Sequence, residues 1–266
     1  MNNSATVAVV AGGGDLPLKI IEKLKNLKRE HVVVSIDGFG PVEYPSFKIG
    51  EIGKILDFIR SSNAAEILFC GNVKRPSFLS LKTDSVGKKW IRSLGVRAFL
   101  GDDALLKGVK KLLKIEGLSV LSPQSILDTL LTPSGLLTTQ KPTELDLKDI
   151  ARGLFVLNTL SKTDVGQAVV VQEGLILGIE AAEGTSELIS RCKALKIAKF
   201  GGVLIKMAKI NQESAIDMAT IGEKTIGEAV NAGLAGIALG ANNSQIIDFE
   251  KTIKFANDQK LFVIGI

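Results

Sequence analysis

Short apolar runs alternate with amphipathic stretches through the first half of the chain. Runs rich in β-branched residues predict strands at Thr6–Ala11, His31–Ile36, 66–71 and 118–122. Helical spacing predicts helices between them, with buried stripes made of Leu18, Ile21 and Leu24, of Ile52, Ile55, Leu56 and Ile59, and of Leu105, Leu106, Val109, Leu112 and Leu113. This alternation is typical of a parallel sheet covered by helices, so residues 1–131 are predicted to form a Rossmann-like domain.

Residues 132–146 interrupt the pattern with prolines, a glycine and several threonines, and they predict a linker between two domains. Beyond the linker, a helical stripe is formed by Leu147, Ile150, Ala151, Leu154 and Leu157. Two apolar runs separated by Glu173 and Gly174 then predict a β-hairpin, and later strands are predicted at 202–208, 235–239 and 261–266. Residues 147–266 are therefore predicted to form a mixed α/β domain, and the fold class is α/β with two domains.

The composition fits such a protein, because 266 residues with 45% hydrophobic content can bury two modest cores. No run approaches the roughly 18 to 20 apolar residues of a membrane span, and the N-terminus lacks the pattern of a signal peptide, so we expect a cytoplasmic protein. The two cysteines and the single His31 have no partners at metal-ligand spacing. Catalysis would therefore depend on carboxylates, lysines, backbone amides and a hard metal ion.

The net charge of +5 suits an anionic partner, such as a phosphorylated ligand or an anionic membrane face. Many of the basic residues lie on predicted exposed helix faces, and ordinary solvation explains them at least as well. One tyrosine, one tryptophan and no interleaving of aromatic with basic residues argue against a nucleic-acid partner.

A glycine-rich turn follows the first predicted strand. Gly13, Gly14 and Asp15 are candidates for contact with a phosphate, because glycines let the backbone approach closely and helix amides favour negative charge. Pro17 stands where the dinucleotide fingerprint has its third glycine. An ordinary glycine turn explains the motif equally well.

Polar loops also follow the later strands of the first half. In an open parallel sheet, ligands bind beyond the carboxyl ends of the strands, so these loops can converge on one ligand. The candidate ligand-binding residues in them are Asn72, Gly101, Asp102, Ser122 and Gln124.

Two acidic residues, Glu180 and Glu183, flank a strand end in the second half. Glu183 is a candidate ligand for a hard divalent cation, and Gly184 and Thr185 are candidates for phosphate or ribose contacts. A helix-capping box at Thr185 and Ser186 is the competing explanation.

A later segment combines cationic and acidic groups around the end of another predicted strand. Such a combination suits phosphoryl transfer, in which charge on the phosphate oxygens is stabilised and a carboxylate orients water. The candidates in this segment are Lys206, Gln212, Glu213, Asp217, Thr220 and Ile221. A solvated loop is the alternative.

The order of these motifs resembles the LpxI family along essentially the whole chain. The matching strings are GGGDLP, GNVKRP, GDD, GQAVVVQEG, EAAEGT, VLIKMAK and IDMATIG. The resemblance implies two α/β domains and cleavage of the diphosphate of UDP-2,3-diacylglucosamine, in lipid A biosynthesis, to UMP and 2,3-diacylglucosamine 1-phosphate. It also implies Mg²⁺ or Mn²⁺ as the cofactor and peripheral location on the anionic inner face of the cytoplasmic membrane. The oligomeric state is left open between a monomer and a homodimer.

The resemblance also implies roles for particular residues. Asp217 matches a critical aspartate of the family, as a metal ligand together with Glu183 or as the group that orients water, and these two roles stay open. Gln212 matches a glutamine that precedes it, while Lys206 and Glu213 complete the catalytic set. This chain departs from the family pattern at Glu213, Ala215, Ala219 and Ser186, which replace an aspartate, an arginine, a proline and an acid.

Two functions of other classes compete with this interpretation. An NAD(P)-dependent oxidoreductase would use the glycine turn, and Asp37 follows at about the spacing of a ribose-binding acid. A non-catalytic regulator that binds a sugar nucleotide or a lipid would leave Asp217 and Lys206 with structural roles.

Overall fold

The computed structural model describes residues 5–74, 81–95, 102–127, 131–161, 165–208 and 218–266. The chain divides into two compact units, with residues up to 127 in the first and residues from 131 in the second among those described. No helix within these ranges is long and apolar enough to cross a membrane.

The first unit is a five-stranded sheet in which every paired strand is parallel. Its strands are β1 (Thr6–Ala11), β2 (His31–Ile36), β3 (Ser46–Phe47), β4 (Ala64–Cys70) and β5 (Ser119–Leu121), and its helices are α1 (Leu16–Asn26), α2 (Ile52–Ser61), α3 (Ser85–Leu94) and α4 (Asp102–Ile115). The strand order β3-β2-β1-β4-β5 reverses between β1 and β4, which is the switch point where such sheets bind ligands. The predicted Rossmann-like parallel sheet is confirmed.

Helix α1 covers the sheet of this unit with one apolar face. Helix α1 packs through Leu16, Ile20, Ile21 and Leu24, as its helical period requires. Leu18 is 47% exposed, so its predicted place in the buried stripe is wrong. Two residues from Ile20 along a helix is about 200° around the axis, which turns Leu18 away from the sheet.

The second unit is a mixed α/β structure, as predicted. Its strands are β6 (Gly135–Leu136), β7 (Ala168–Gln172), β8 (Leu175–Ile179), β9 (Val203–Lys206), β10 (Ala219–Ile221), β11 (Gly236–Leu239), β12 (Ser244–Ile246) and β13 (Phe262–Gly265), and its helices are α5 (Glu144–Leu160), α6 (Thr185–Lys193), α7 (Glu223–Asn231) and α8 (Phe249–Asp258). Six strands form a sheet in the order β6-β13-β11-β9-β7-β8, and β10 pairs with β12. Strands β9, β11 and β13 are parallel, whereas β6 and β7 run antiparallel to their partners.

The predicted hairpin between β7 and β8 is confirmed. Glu173 has φ 53° and Gly174 has φ 79°, the two positive values that the commonest tight hairpin turns require. Asp149 of α5 accepts hydrogen bonds from both of their amides, at 3.0 Å and 2.7 Å. The carboxylate therefore fastens α5 to the turn.

Part of the predicted linker is hydrogen-bonded within the second unit. Thr132 is fully buried, and its hydroxyl lies 2.8 Å from that of Ser244. Strand β6 pairs with β13, and the amide of Val263 donates to the Thr138 hydroxyl at 2.9 Å. Residues 132–138 thus bond to both β12 and β13, and β6 is an edge strand of the six-stranded sheet.

The face of helix α5 that packs against this sheet differs in part from the predicted stripe. Ile150, Gly153 and Leu157 are buried, whereas Leu147 is 48% exposed and Ala151 is exposed, so the prediction is wrong for those two. A Cβ on Gly153 would lie 2.6 Å from Cδ1 of Ile205. The absence of a side chain at Gly153 therefore determines which face of α5 packs on the sheet, because only glycine lets the helix approach β9 so closely.

Candidate functional site

The two loops at the switch point of the first unit are joined through their backbones. The amide of Gly13 donates to the Asn72 carbonyl at 2.9 Å, and the amide of Asn72 donates to the Gly13 carbonyl at 3.0 Å. A Cβ on Gly71, whose φ is +85°, would lie 2.6 Å from the Gly13 carbonyl oxygen and 2.8 Å from Cγ of Pro17. Close approach of the two loops therefore accounts for glycine at this position.

This arrangement limits which groups of the glycine turn can face a phosphate. The amides of Gly12 and Gly13 bond to the carbonyls of Cys70 and Asn72 at 2.8 Å and 2.9 Å. Gly14 and Asp15 are exposed at the beginning of α1, where helix amides favour negative charge. Oδ1 of Asn72 lies beside Gly13 and Gly14, at 3.1 Å and 3.4 Å from Cβ positions built on these two glycines. Four of the predicted residues, Gly13, Gly14, Asp15 and Asn72, are thus brought together.

Two of the remaining candidates of this unit lie directly after β5. Ser122 and Gln124 follow β5, which pairs with β4, and both are half-buried. The carbonyl of Ser122 accepts from the amide and hydroxyl of Ser125 in a short 3₁₀ turn, at 3.0 Å and 2.7 Å. Asp102 is the first residue of α4, and Gly101 lies outside the described residues.

The second unit holds a buried hydrogen-bonded group, called here the Lys206 triad, which consists of Lys206, Thr185 and Glu180. Nζ of Lys206 donates to Oγ1 of Thr185 at 2.6 Å, and that hydroxyl donates to Oε1 of Glu180 at 2.7 Å. The amide of Gln167 donates to Oε2 of Glu180 at 2.9 Å. Lys206 is 8% exposed and Glu180 is 7% exposed, so both charged groups are largely removed from water.

The sheet register explains why these residues meet. Ala168 of β7 pairs with Lys206 of β9, and its carbonyl accepts from the amide of Glu180 directly after β8. Lys206 and Glu180 therefore flank one residue at the same edge of the sheet. Gly184, with φ +83°, is the N-cap of α6 and places Thr185 over that edge. The capping box proposed as an alternative is not formed, because Gly184 is the N-cap and the Thr185 hydroxyl bonds to Glu180 instead.

Glu183 lies three residues further on and has different partners. Its Oε1 accepts from Nε and Nη2 of Arg191 at 3.1 Å and 2.8 Å, and its Oε2 accepts from the Ala181 amide at 3.1 Å. Its own backbone amide, followed by Arg191 and the Ala181 amide, lowers the pKa of Glu183 below its ordinary value of 4.5. The carboxylate is therefore ionised at neutral pH and neutralised by an arginine.

The predicted metal site is not assembled by the residues that the structure describes. In those ranges no group of three or more histidine, cysteine, aspartate or glutamate side chains could hold a metal ion. Glu183 is paired with Arg191, which makes it a poor cation ligand. Gln212, Glu213 and Asp217 lie outside the described residues.

Thr220 and Ile221 belong to the small parallel pair of β10 and β12. The Thr220 hydroxyl donates to the Met218 carbonyl at 2.8 Å and accepts from Nε2 of Gln245, a buried residue, at 2.6 Å. The side chain of Ile221 is fully buried in the core. The Ser244 hydroxyl donates to the Gly240 carbonyl at 2.6 Å. The Gly240 amide in turn bonds to the Lys206 carbonyl at 3.0 Å, so these bonds connect β12 to the end of β9.

Sequence reasoning missed two partners in this region. Gln245 has no neighbouring motif, and Arg191 lies eight residues beyond Glu183, a spacing that predicts no contact because Glu183 precedes the helix. A strand-end glutamate was the only signal for Glu180, and it did not distinguish Glu180 from Glu183.

Cys70, Cys192 and Asp37 bear on two other kinds of chemistry, thiol catalysis and dinucleotide binding. Burial raises the pKa of Cys70 to about 12 and also raises that of Cys192, so both thiols are protonated at neutral pH and poor nucleophiles. Asp37 is exposed directly after β2, the position of a ribose-binding acid in dinucleotide-binding sheets.

Both units match models of one protein family. Residues 6–130 match the model described as the LpxI N-terminal domain, and residues 133–264 match that described as the LpxI C-terminal domain. The chain is 36% identical over 271 residues to a Caulobacter vibrioides protein named UDP-2,3-diacylglucosamine pyrophosphatase LpxI. That similarity covers 98% of this chain and 97% of the relative, so it extends through both units.

Proposed function

The chain belongs to the LpxI family, and from this membership we propose that it hydrolyses the diphosphate bond of UDP-2,3-diacylglucosamine. The products are UMP and 2,3-diacylglucosamine 1-phosphate, which places the reaction in lipid A biosynthesis. The observation that carries this proposal is the 36% identity, over 98% of the chain, to a relative whose name states that activity. A similarity confined to one of the two domains would support the activity less strongly.

The proposed chemistry assigns separate tasks to the residues of the two units. Gly14, Asp15 and Asn72 at the switch point of the first unit bind the nucleotide or its phosphates. Lys206 offsets negative charge on the diphosphate as the bond breaks. Asp217 acts on the attacking water or binds a metal ion, and both roles are kept in the proposal.

We also propose that activity depends on Mg²⁺ or Mn²⁺, as the family resemblance implies. When bound, such an ion would withdraw charge from phosphate oxygens. The acidic groups of the described residues do not fit such a site, so this part of the proposal depends on Asp217 and its neighbours. Activity lost with EDTA and restored by either ion is the expected result, and full turnover in metal-free buffer would contradict it.

Peripheral binding to an anionic membrane face is a further part of the proposal, and a loop of the second unit supports it. Leu195, Ile197 and Phe200 are 53%, 58% and 73% exposed, and Lys193 and Lys199 are exposed beside them. Apolar side chains flanked by cations suit the interface of a bilayer that contains anionic lipids. We propose that residues 193–200, the last residue of α6 and the loop after it, dock on the inner face of the cytoplasmic membrane.

A buried side chain holds this loop in place. Gln172 is 1% exposed, and its Oε1 accepts from the amide of Ile197 at 2.9 Å. Its Nε2 donates to the carbonyls of Ala198 and Phe200, both at 3.1 Å. The apolar residues are therefore presented by a structured loop, which lowers the entropy cost of docking.

The experiment that tests the function measures UMP release from UDP-2,3-diacylglucosamine by the purified protein with Mg²⁺ or Mn²⁺. Reaction in ¹⁸O-water shows which phosphorus water attacks, and label in the lipid product identifies the sugar-side atom. A folded protein that releases no UMP would contradict the proposal. Tight NAD(P) binding would favour an oxidoreductase, and substrate binding without turnover a regulator. Light scattering of the same sample distinguishes a monomer from a homodimer.

A further inference from the structure

The hydrogens of the Lys206 triad can be assigned from chemistry alone. An ammonium group only donates hydrogen bonds, and an ionised carboxylate only accepts them. The hydroxyl of Thr185, which lies between the two, must therefore accept from Lys206 and donate to Glu180. The triad consequently has one hydrogen-bond direction, from the ammonium to the carboxylate.

Both ends of the triad are held by the sheet. The second carboxylate oxygen of Glu180 accepts from the Gln167 amide, and the backbone amide of Glu180 donates to Ala168 at 2.8 Å. Lys206 is the last residue of β9, and its carbonyl accepts from the amide of Gly240. Glu180 is therefore fixed to the sheet through two groups besides its bond from Thr185, whereas the ammonium lies at the end of a flexible four-carbon stem.

Burial makes a nearby opposite charge important for each of the two groups. Each is less than a tenth exposed, and an unpaired charge in such a place is strongly disfavoured. The Thr185 hydroxyl bonds to both groups and so links them. A carboxylate linked in this way can stabilise the ammonium while the neutral hydroxyl orients it.

We propose that Glu180 is a positioning residue, which holds the ammonium of Lys206 in place through the hydroxyl of Thr185. This inference rests on the proposed hydrolysis, in which Lys206 offsets charge on the diphosphate. Preorganised charge accelerates such a reaction because no reorganisation is needed when charge develops in the transition state. Loss of Glu180 should then affect turnover more than substrate binding.

The first test replaces the carboxylate by an amide of the same size. In wild type the two carboxylate oxygens accept from the Thr185 hydroxyl and from the Gln167 amide. Glu180→Gln removes the charge and replaces one of these two acceptors by an NH2 donor. We expect kcat to fall about 10- to 100-fold, as for the loss of a hydrogen bond to a charged group, with KM changed less than about threefold. The matched control is Glu187→Gln, the same change at an exposed position of α6, which should leave kcat near wild type.

A second pair of variants separates positioning from a general structural effect. Thr185→Val keeps both charges and removes the bridging hydroxyl, and it should reproduce the loss in kcat of Glu180→Gln. Glu180→Gln should cost almost nothing further in a Lys206→Met background, because its effect passes through Lys206. Independent, multiplicative losses in the double variant, or full activity of Thr185→Val, would overturn the proposal.

A measurement without substrate completes the test. Acetylation of Lys206 by an N-hydroxysuccinimide ester, followed by mass spectrometry, reports how firmly the amine is held. We expect Lys206 to react about tenfold faster in Glu180→Gln than in wild type or in Glu187→Gln, with thermal melts showing folded protein. Equal rates would overturn the positioning role. If wild type released no UMP, the proposed function would fail, while the labelling rates would still decide whether Glu180 holds Lys206.

Discussion

Substitution of Gly71 should weaken the first unit by more than the backbone conformation alone explains. Gly71 and Gly38 both have positive φ, at +85° and +78°, so alanine at either position is strained in the same way. They differ in their surroundings. A Cβ on Gly38 meets no atom within 4 Å, whereas the three atoms nearest to one on Gly71 lie between 2.6 Å and 2.8 Å away. Gly38→Ala is therefore the matched control for Gly71→Ala.

The expected magnitudes follow from this difference. A left-handed backbone costs a residue with a side chain about 1–2 kcal/mol, and both variants should lose that much free energy of unfolding. Overpacking adds about 1–3 kcal/mol for Gly71→Ala alone, because the carbonyls of Gly12 and Gly13 and the ring of Pro17 must move. At a urea dependence of about 1–3 kcal/mol per molar, the extra loss should lower the unfolding midpoint by roughly 1 M relative to Gly38→Ala.

Tryptophan fluorescence during urea unfolding is the assay, because the chain has one tryptophan. Trp90 is buried in the core of the first unit, so its emission follows that unit alone. Equal midpoints for Gly71→Ala and Gly38→Ala would refute the reasoning, since they would show that the two loops separate at no cost. Substrate KM should also rise in Gly71→Ala, because the same loops carry Gly14 and Asn72.

Three further predictions concern catalysis, electrostatics and the membrane. Asp217→Ala should lower turnover by roughly two to four orders of magnitude while calorimetry still shows substrate binding, and unchanged UMP release would contradict its role. Glu183→Gln should lower the free energy of unfolding by about 0.2–1 kcal/mol near neutral pH, because it removes the ion pair with Arg191. The difference in thermal melting should persist above pH 4.5 and vanish as the pH falls below the lowered pKa of Glu183. A difference that does not change with pH would contradict this. Ile197→Ser with Phe200→Ser should abolish most sedimentation with phosphatidylglycerol vesicles, and Leu18→Ser should not; equal binding would contradict docking by the loop.

Most of the longer elements of the fold could be predicted from the sequence, whereas several of the shortest strands could not. The apolar runs of β1, β2 and β4 and the helical pattern of α2 are set by burial within one sheet and its covering helices, so the residues carry the information. Strands β3, β10 and β12 have only two or three residues, too few to show a period. Their pairing depends on residues distant in sequence, which no local pattern records.

Helix α3 shows a different failure, in which a local signal was present. Only Gly87, Trp90 and Leu94 are buried on it, a sparse stripe among charged residues. Its start is nevertheless marked by Asp84, which accepts from the amides of Gly87 and Gly53, both at 2.7 Å. The aspartate is therefore an N-cap that also ties α3 to α2, and a search for capping residues would have found the helix.

The two glutamates after β8 show why residue type could not identify the site. Both lie in the segment EAAEG, and Glu183 stands closer to the Gly-Thr turn that suggests phosphate binding. Their partners come from elsewhere, since Arg191 of α6 binds Glu183 while Lys206, distant in sequence, reaches Glu180 through Thr185. Burial decides between them, because a carboxylate that is 7% exposed must be satisfied by its surroundings, whereas Glu183 can share its charge with solvent. The glutamate that the sheet register places beside the Ala168–Lys206 pair is therefore the one whose removal should change the chemistry of Lys206.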